Sequence, residues 1–373
     1  MIVKKIAQPE RIVIYNILGM LFFFILLGII AILFGNPQIT YAHEAYVLPQ
    51  YQFSRGLQTF SAHPLAPLLD TSHLQISLII TIGAALTYTL CIVWATTPYA
   101  ALLDRYIKKA AVIGPLVIRI AIASSFYFSA QGNELLGPEL SLLIFPYHAI
   151  LRFLLYLTAL MILFGVFTEI AAAIGIFLYI CAIHFYGGYM MTYTNYLGEL
   201  LVLFLFGSRF LSFDLLSFGK KLFFKGLEKY KDLEIPIVRI LYGIALIYAG
   251  YTIKFLHQDL SIAVYNQYHL QNFFHASAAF IAAGAGLSEI LIGLFILIGF
   301  AQRLTILLSV IFITLSLMYF QELLWPHAIL FGISFSLFIN SADQFTIDRY
   351  LIPWARGIIR KLLRFCGITP VGY

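Results

Sequence analysis

The chain has 373 residues, of which 61% are hydrophobic and only 11% charged, against roughly 45–50% and about 25% in ordinary globular domains. So few charges cannot cover a water-facing surface of this size, which excludes a soluble fold; the mean hydropathy of +0.92 makes the bilayer the solvent. A net charge of +6 would suggest nucleic acid in a soluble protein, but here it reads as orientation in a membrane, and no nucleic-acid partner is expected. Cys91 and Cys181 sit in apolar runs and Cys366 in a basic tail, so neither a disulfide framework nor a CxxC motif is present.

Crossing a ~30 Å hydrocarbon core takes about 17–25 helical residues. Ten segments approach that length: 13–34, 74–97, 113–130, 147–166, 169–186, 193–211, 235–254, 276–299, 304–320 and 326–341. The runs are continuous and do not alternate, so the expected fold is all-α, a polytopic membrane protein of about ten transmembrane helices. Lys4, Lys5 and Arg11 precede the first span and put the N-terminus in the cytoplasm; ten spans return the C-terminus there. With that count, 17 of the 23 Lys and Arg fall on cytoplasmic segments, mainly 105–109, 220–231 and 349–364. The expected location is a bacterial or archaeal cytoplasmic membrane.

Two cytoplasmic stretches, 215–231 and 349–365, interleave basic with large apolar residues and read as helices lying on an anionic leaflet, where each basic residue contributes about 1 kcal/mol. The alternative is a solvated basic tail that only sets topology. Thr40-Tyr41-Ala42 before His43 resembles a cleavage site, but the apolar stretch before it is longer than a secretory h-region, so an uncleaved first helix is expected.

The later spans repeat. At an offset of 120, Val117-Ile118-Arg119-Ile120 falls on Ile237-Val238-Arg239-Ile240; from the fourth span onward the offset is 134, and Gly165 meets Gly299, Gly198 meets Gly332 and Asp214 meets Asp348. Each unit has an even number of spans, so the two are expected to run parallel, related by an axis along the membrane normal. The resulting division is an N-terminal two-helix extension, 1–112, with an outer loop at 36–73; repeat one with a basic cytoplasmic linker, 113–234; repeat two, 235–348; and a basic amphipathic tail, 349–373.

The unit resembles the DoxX-like family of small four-helix membrane proteins, which includes the DoxD subunit of thiosulfate:quinone oxidoreductase. The resemblance rests on an opening helix VRILYGIALIYAGYTIKF (238–255), a later helix EILIGLFILIGFAQR (289–303), and a closing helix with His327 and Gly332 that ends in Asp348. Repeat two carries the pattern more fully; repeat one has Glu134, Leu155 and Tyr193 where Lys254, Glu289 and His327 stand. The resemblance implies partnership with quinones, sulfur compounds or oxidative-stress proteins.

Glu289 is the sharpest single signal, because it falls near the middle of its helix, where a charge costs at least ~2.5–3.5 kcal/mol. It must be paired or protonated. His184, Asn195, Glu199 and His327 reach a comparable depth from the outer side, while Lys254 is long enough to snorkel to the surface. The expected site is a polar pocket in the outer half of repeat two, bounded by Lys254, His275, Glu289 and His327, with His184, Asn195 and Glu199 as secondary candidates. A structural interhelical hydrogen bond is the ordinary alternative. Every histidine is placed on the outer side, and His43, His63 and His73 could hold a metal, although no two are spaced as a helical ligand pair.

Outer aromatic segments such as Tyr265, Tyr268, Phe273 and Phe274 suit either a quinone or lipid site or an interfacial belt. Catalytic residues stay unassigned, since no Walker motif, Rossmann fingerprint, HExxH or nucleophile elbow is present. The leading expectation is an accessory or quinone-interacting component of a redox system without independent catalysis. Quinone and metal both remain open as ligands, with the lipid bilayer and redox proteins as partners. If the chain is enzymatic, it is a subunit of a quinone-linked oxidoreductase. The competing expectations are a small-molecule or proton-coupled transporter and a membrane assembly or cargo-binding scaffold.

Overall fold

The computed structural model describes residues 48, 56, 58–208, 211–214, 227–320, 322–341 and 343–366. The fold over these residues is all-α, with no strand beyond a single bridge between Glu134 and Ser141. In chain order the helices are α1 (Leu74–Ala95), α2 (Pro98–Lys108), α3 (Gly114–Gly132), α4 (His148–Phe164), α5 (Thr168–Tyr186), α6 (Thr194–Phe206), α7 (Glu234–Ala249), α8 (Gln258–Gln267), α9 (Ala278–Ile298), α10 (Gln302–Phe320), α11 (Leu324–Ile339) and α12 (Asp348–Phe365). Among the described residues, six helical stretches are long and apolar enough to cross a membrane: Leu74–Ala95, Pro98–Gly132, Thr168–Phe206, Lys229–Leu256, Ala278–Ile298 and Gln302–Phe320. The apolar helices α4 and α11 are shorter. Nine of the ten expected apolar segments are helices; the other, 13–34, lies outside the described residues, as do His43 and the linker 215–226.

Two helices differ from expectation. Residues 98–108, read as a connecting segment, form α2 because Thr97 accepts a hydrogen bond from the Ala100 N–H (3.3 Å) and Pro98 fixes the first turn. The segment 255–275, which joins two apolar helices, contains α8. Both are short and mix polar with apolar residues, so neither stands out as an apolar run. The tail does form the expected helix, α12, with Tyr350, Trp354, Ile358 and Leu362 exposed along one face.

Two turns at the end carrying Arg105 and Arg303 are built alike. At the α4–α5 turn, Arg119 of α3 donates to the carbonyls of Ile162 (3.0 Å), Leu163 (2.7 Å) and Leu211 (3.3 Å). Asp214 accepts from the backbone N–H groups of Phe167 (2.8 Å) and Thr168 (3.0 Å). At the α9–α10 turn, Arg239 of α7 donates to the carbonyls of Ile296 (3.2 Å), Leu297 and Phe345 (3.3 Å). Asp348 accepts from Ala301 (2.7 Å) and Gln302 (2.9 Å). One guanidinium therefore caps the carbonyl end of the incoming helix and one carboxylate the N–H end of the outgoing helix. The turn residues Gly165 and Phe167 have φ of 65° and 47°, and Gly299 and Ala301 have 67° and 42°.

A second pair of contacts ties the two halves together. A Cβ on Gly198 of α6 would lie 3.2 Å from Leu241 Cβ and 3.5 Å from Val238 Cα of α7. A Cβ on Gly332 of α11 would lie 2.7 Å from Ala121 Cβ and 3.7 Å from Ile118 Cα of α3. Backbones approach this closely only at small residues, and van der Waals packing there drives helix association in lipid. The buried core is continuous across both halves, from Ile122, Phe126 and Leu178 to Tyr242, Ile296 and Ile333. In contrast, α1 buries no residue, which suits a helix whose surroundings are acyl chains.

Candidate functional site

Helices α7 and α9 are drawn together by glycines spaced seven apart on each. Gly243 faces Gly293, where an added Cβ would lie 2.7–2.8 Å from the opposite glycine's carbonyl oxygen. A Cβ on Gly250 would lie 3.3 Å from Glu289 Cβ, and one on Gly286 would lie 2.9 Å from Lys254 Cβ. Beyond Ala249 the α7 backbone widens into π turns over Gly250–Leu256, a rare geometry that changes side-chain register. Lys254, in those turns, reaches Glu289 at 2.7 Å, with the two side chains only 17% and 12% exposed. The ammonium therefore points inward to a carboxylate, and the snorkelling orientation is not the one adopted. On the same α7 helix, the buried Tyr242 hydroxyl bonds Ser309 (2.9 Å) and Ser334 (3.4 Å).

A second polar group lies at the end of the bundle remote from Arg303. His327, in the first turn of α11, faces the Leu323 carbonyl with Nδ1 (3.1 Å) and the Glu322 carboxylate with Nε2 (3.0 Å). Glu322 also accepts from the Ser316 hydroxyl (2.9 Å). Both ring nitrogens thus lie close to an oxygen atom. In the matching position at the start of α6, Tyr193 donates to Glu139, which also accepts from Tyr189 (3.0 Å). The charge of Glu139 reaches His327 as well, and α6 touches α11, so the two clusters are neighbours. Burial, aided by the Glu139 charge, pushes the Glu134 carboxyl in the same loop up to about 7.

Residues 235–322 match the family model described as DoxX. The match covers 88 of the 373 residues, all in the second half of the chain. No curated protein and no solved structure matches the chain. The DoxX segment runs from the start of α7 to Glu322 and contains Lys254, Glu289 and Glu322, while His327 and the α12 tail lie beyond it.

Of the four residues expected to bound a pocket, the structure brings Lys254 and Glu289 together. It places His275 in an exposed loop and gives His327 a different partner, Glu322. His184 is exposed beside Phe185, whereas Asn195 and Glu199 are buried in α6. His63 is exposed; His73 bonds Ser72 (3.0 Å) and stacks on Phe280 at 4.5 Å. Among the described residues no three of His, Cys, Asp and Glu converge on a metal site.

The DoxX segment also depends on residues that the sequence left unremarked. Glu322 and Asp343 stand beside apolar helices in short turns, where an acid reads as solvated, yet Asp343 pairs with Arg239 at 2.9 Å and both side chains are buried. Their one legible signal is an acid within a few residues of a helix end that carries no other charge.

Proposed function

We propose that the protein is an integral-membrane component of a quinone-linked redox system, without catalysis of its own, in which the DoxX segment offers Lys254 and Glu289 to a quinone headgroup. The ion pair carries this reading. A membrane-interior charge pair is expensive to desolvate and is usually no more stabilising than apolar side chains of the same volume. Here the glycine contacts and the π turns both favour bringing it about. An ammonium can donate to a quinone carbonyl and a carboxyl can accept from a quinol hydroxyl, so the pair is chemically matched to both headgroup states.

The test is titration of the purified full-length protein with a short-chain ubiquinone analogue. Glu289→Gln keeps shape and hydrogen bonding but removes the charge, and is expected to weaken binding at least tenfold while the protein remains folded. The charge-free double variant Lys254→Met/Glu289→Leu is expected to fold and not to bind. Unchanged binding in both variants, or no binding by the wild type, would sink the assignment.

Two organisational proposals accompany it. The first is that 113–214 and 235–348 are parallel copies of one four-helix unit, supported by the two matched turns and by the reciprocal contacts at Gly198 and Gly332. The second is that the end carrying Arg105, Arg303 and α12 faces the cytoplasm, as the Lys and Arg distribution favours. Single cysteines at exposed positions in 131–146 are expected to react with a membrane-impermeant reagent added outside, and cysteines in 349–364 only after permeabilisation. The reverse pattern would invert the topology. A proton-coupled transporter is the second reading, favoured by the polar clusters at Glu139 and Glu322.

A further inference from the structure

Glu199 stands in the middle of α6, about 8 Å along the axis from Thr194 at 1.5 Å per residue. It is fully buried, and neither carboxyl oxygen has a hydrogen-bond partner among the described residues. Three other acids in or beside the apolar helices are paired: Glu289 with Lys254, Glu322 with His327 and Asp343 with Arg239. An unpaired carboxylate in such surroundings is far less stable than the neutral acid, because nothing replaces the water its charge has lost.

Packing does not call for an acid here. Gly198, the preceding residue, sits on Val238 and Leu241 of α7, and Gly332 sits in the same way on Ile118 and Ala121 of α3. The residue after Gly332 is Ile333, also fully buried. The same kind of helix contact is thus built once with an apolar side chain and once with a carboxylic acid. Apolar packing is the less costly solution, so the acid at position 199 points to chemistry rather than to the fold.

We propose that Glu199 is a proton-binding site within the membrane, loaded at neutral pH and able to exchange its proton with the aqueous phase, at the contact between α6 and α7. Glu234, in the first turn of α7, is the charged group whose field reaches it. Of the other titratable groups on the packed elements, Tyr179 of α5 donates to the Met190 carbonyl, Tyr242 and Arg239 of α7 bond Ser309 and Asp343, Arg119 of α3 caps α4 and His327 of α11 pairs with Glu322; Glu169 is buried in the first turn of α5, and Lys229, Lys231 and Asp232 lie just before α7. The proposal does not depend on the Lys254–Glu289 reading, and its test uses neither residue.

The experiment is infrared difference spectroscopy of the full chain in lipid, wild type minus Glu199→Gln, in H2O and in D2O across a pH series. A protonated-carboxyl band present at neutral pH in the wild type and absent in the variant is expected. It should shift in D2O, disappear as the pH is raised and return on re-acidification. Glu199→Leu, which gives α6 an apolar side chain where α11 has Ile333, supplies the same difference should the Gln variant fold poorly. A carboxylate band at neutral pH in place of the acid band would overturn the proposal. So would an acid band that responds to neither D2O nor pH, since that marks a sealed structural group.

Discussion

Replacing Arg239 with Met is expected to cost on the order of 3–5 kcal/mol of stability, the range for removing one partner of a buried ion pair. The side chain is 1% exposed, and Asp343, its partner at 2.9 Å, is 7% exposed. Removal leaves an unpaired carboxylate in the interior and also strips the donor from the Ile296 and Leu297 carbonyls at the end of α9 and from the Phe345 carbonyl before α12. Asp343→Asn should be milder, because the guanidinium keeps its carbonyl acceptors. Arg239→Lys keeps the charge but loses the planar fork that reaches several acceptors at once, so it should fall between the two. The double variant Arg239→Met/Asp343→Leu is expected to recover part of the loss, since it removes the orphaned charge. Unfolding in mixed micelles measures all four. An Arg239→Met variant within about 1 kcal/mol of wild type, inside the range of an exposed pair, would show that the guanidinium does not hold this turn together.

The helices were legible because length and apolar continuity are strong signals, and the described apolar segments are helical for that reason. Helices α2 and α8 were not, since each is short and half polar. The matched Arg, Gly and Asp residues could be aligned by counting, but their task could not be read. Arg119 and Asp214 meet the same turn from positions 43–44 residues before and 46–47 residues after the groups they bind, and only the tertiary closure shows that one caps carbonyls and the other N–H groups. Glu289 announced that it needed a partner. Its identity was hidden because Lys254 reads as a residue at the helix end, and the π turns that carry it inward have no signature in composition. His327 was visible as an unusual residue in an apolar helix, whereas Glu322, in a turn of a few residues, was indistinguishable from a solvated acid. The one-sided histidines shared a side of the membrane in the reading of charge, but a common side does not bring side chains within ligand distance of one another, and His63 and His275 are exposed.

Gly293→Ala and Gly284→Ala lie on the same helix and are expected to change stability in opposite directions. An Ala in a helix interior gains up to about 1 kcal/mol over Gly from propensity alone. At Gly284 nothing opposes that gain, because the nearest atom to an added Cβ is Leu68 Cδ2 at 4.0 Å. At Gly293 the Cβ would lie 2.8 Å from the Gly243 carbonyl oxygen and 2.9 Å from the Ile247 backbone N. Backbone atoms of a packed helix cannot turn aside as a side chain can, so α7 and α9 must separate. Overpacking of this kind costs about 1–3 kcal/mol, which outweighs the propensity gain. The separation also reaches the site, since Gly286 and Gly250, one heptad further along the same interface, set the approach of Lys254 to Glu289. Gly293→Ala should therefore lose binding of the ubiquinone analogue as well as stability, while Gly284→Ala leaves binding unchanged. Equal stabilisation by Ala at both positions would mean that α7 and α9 are not in backbone contact at Gly243 and Gly293, and the account of how the ion pair is assembled would fall with it.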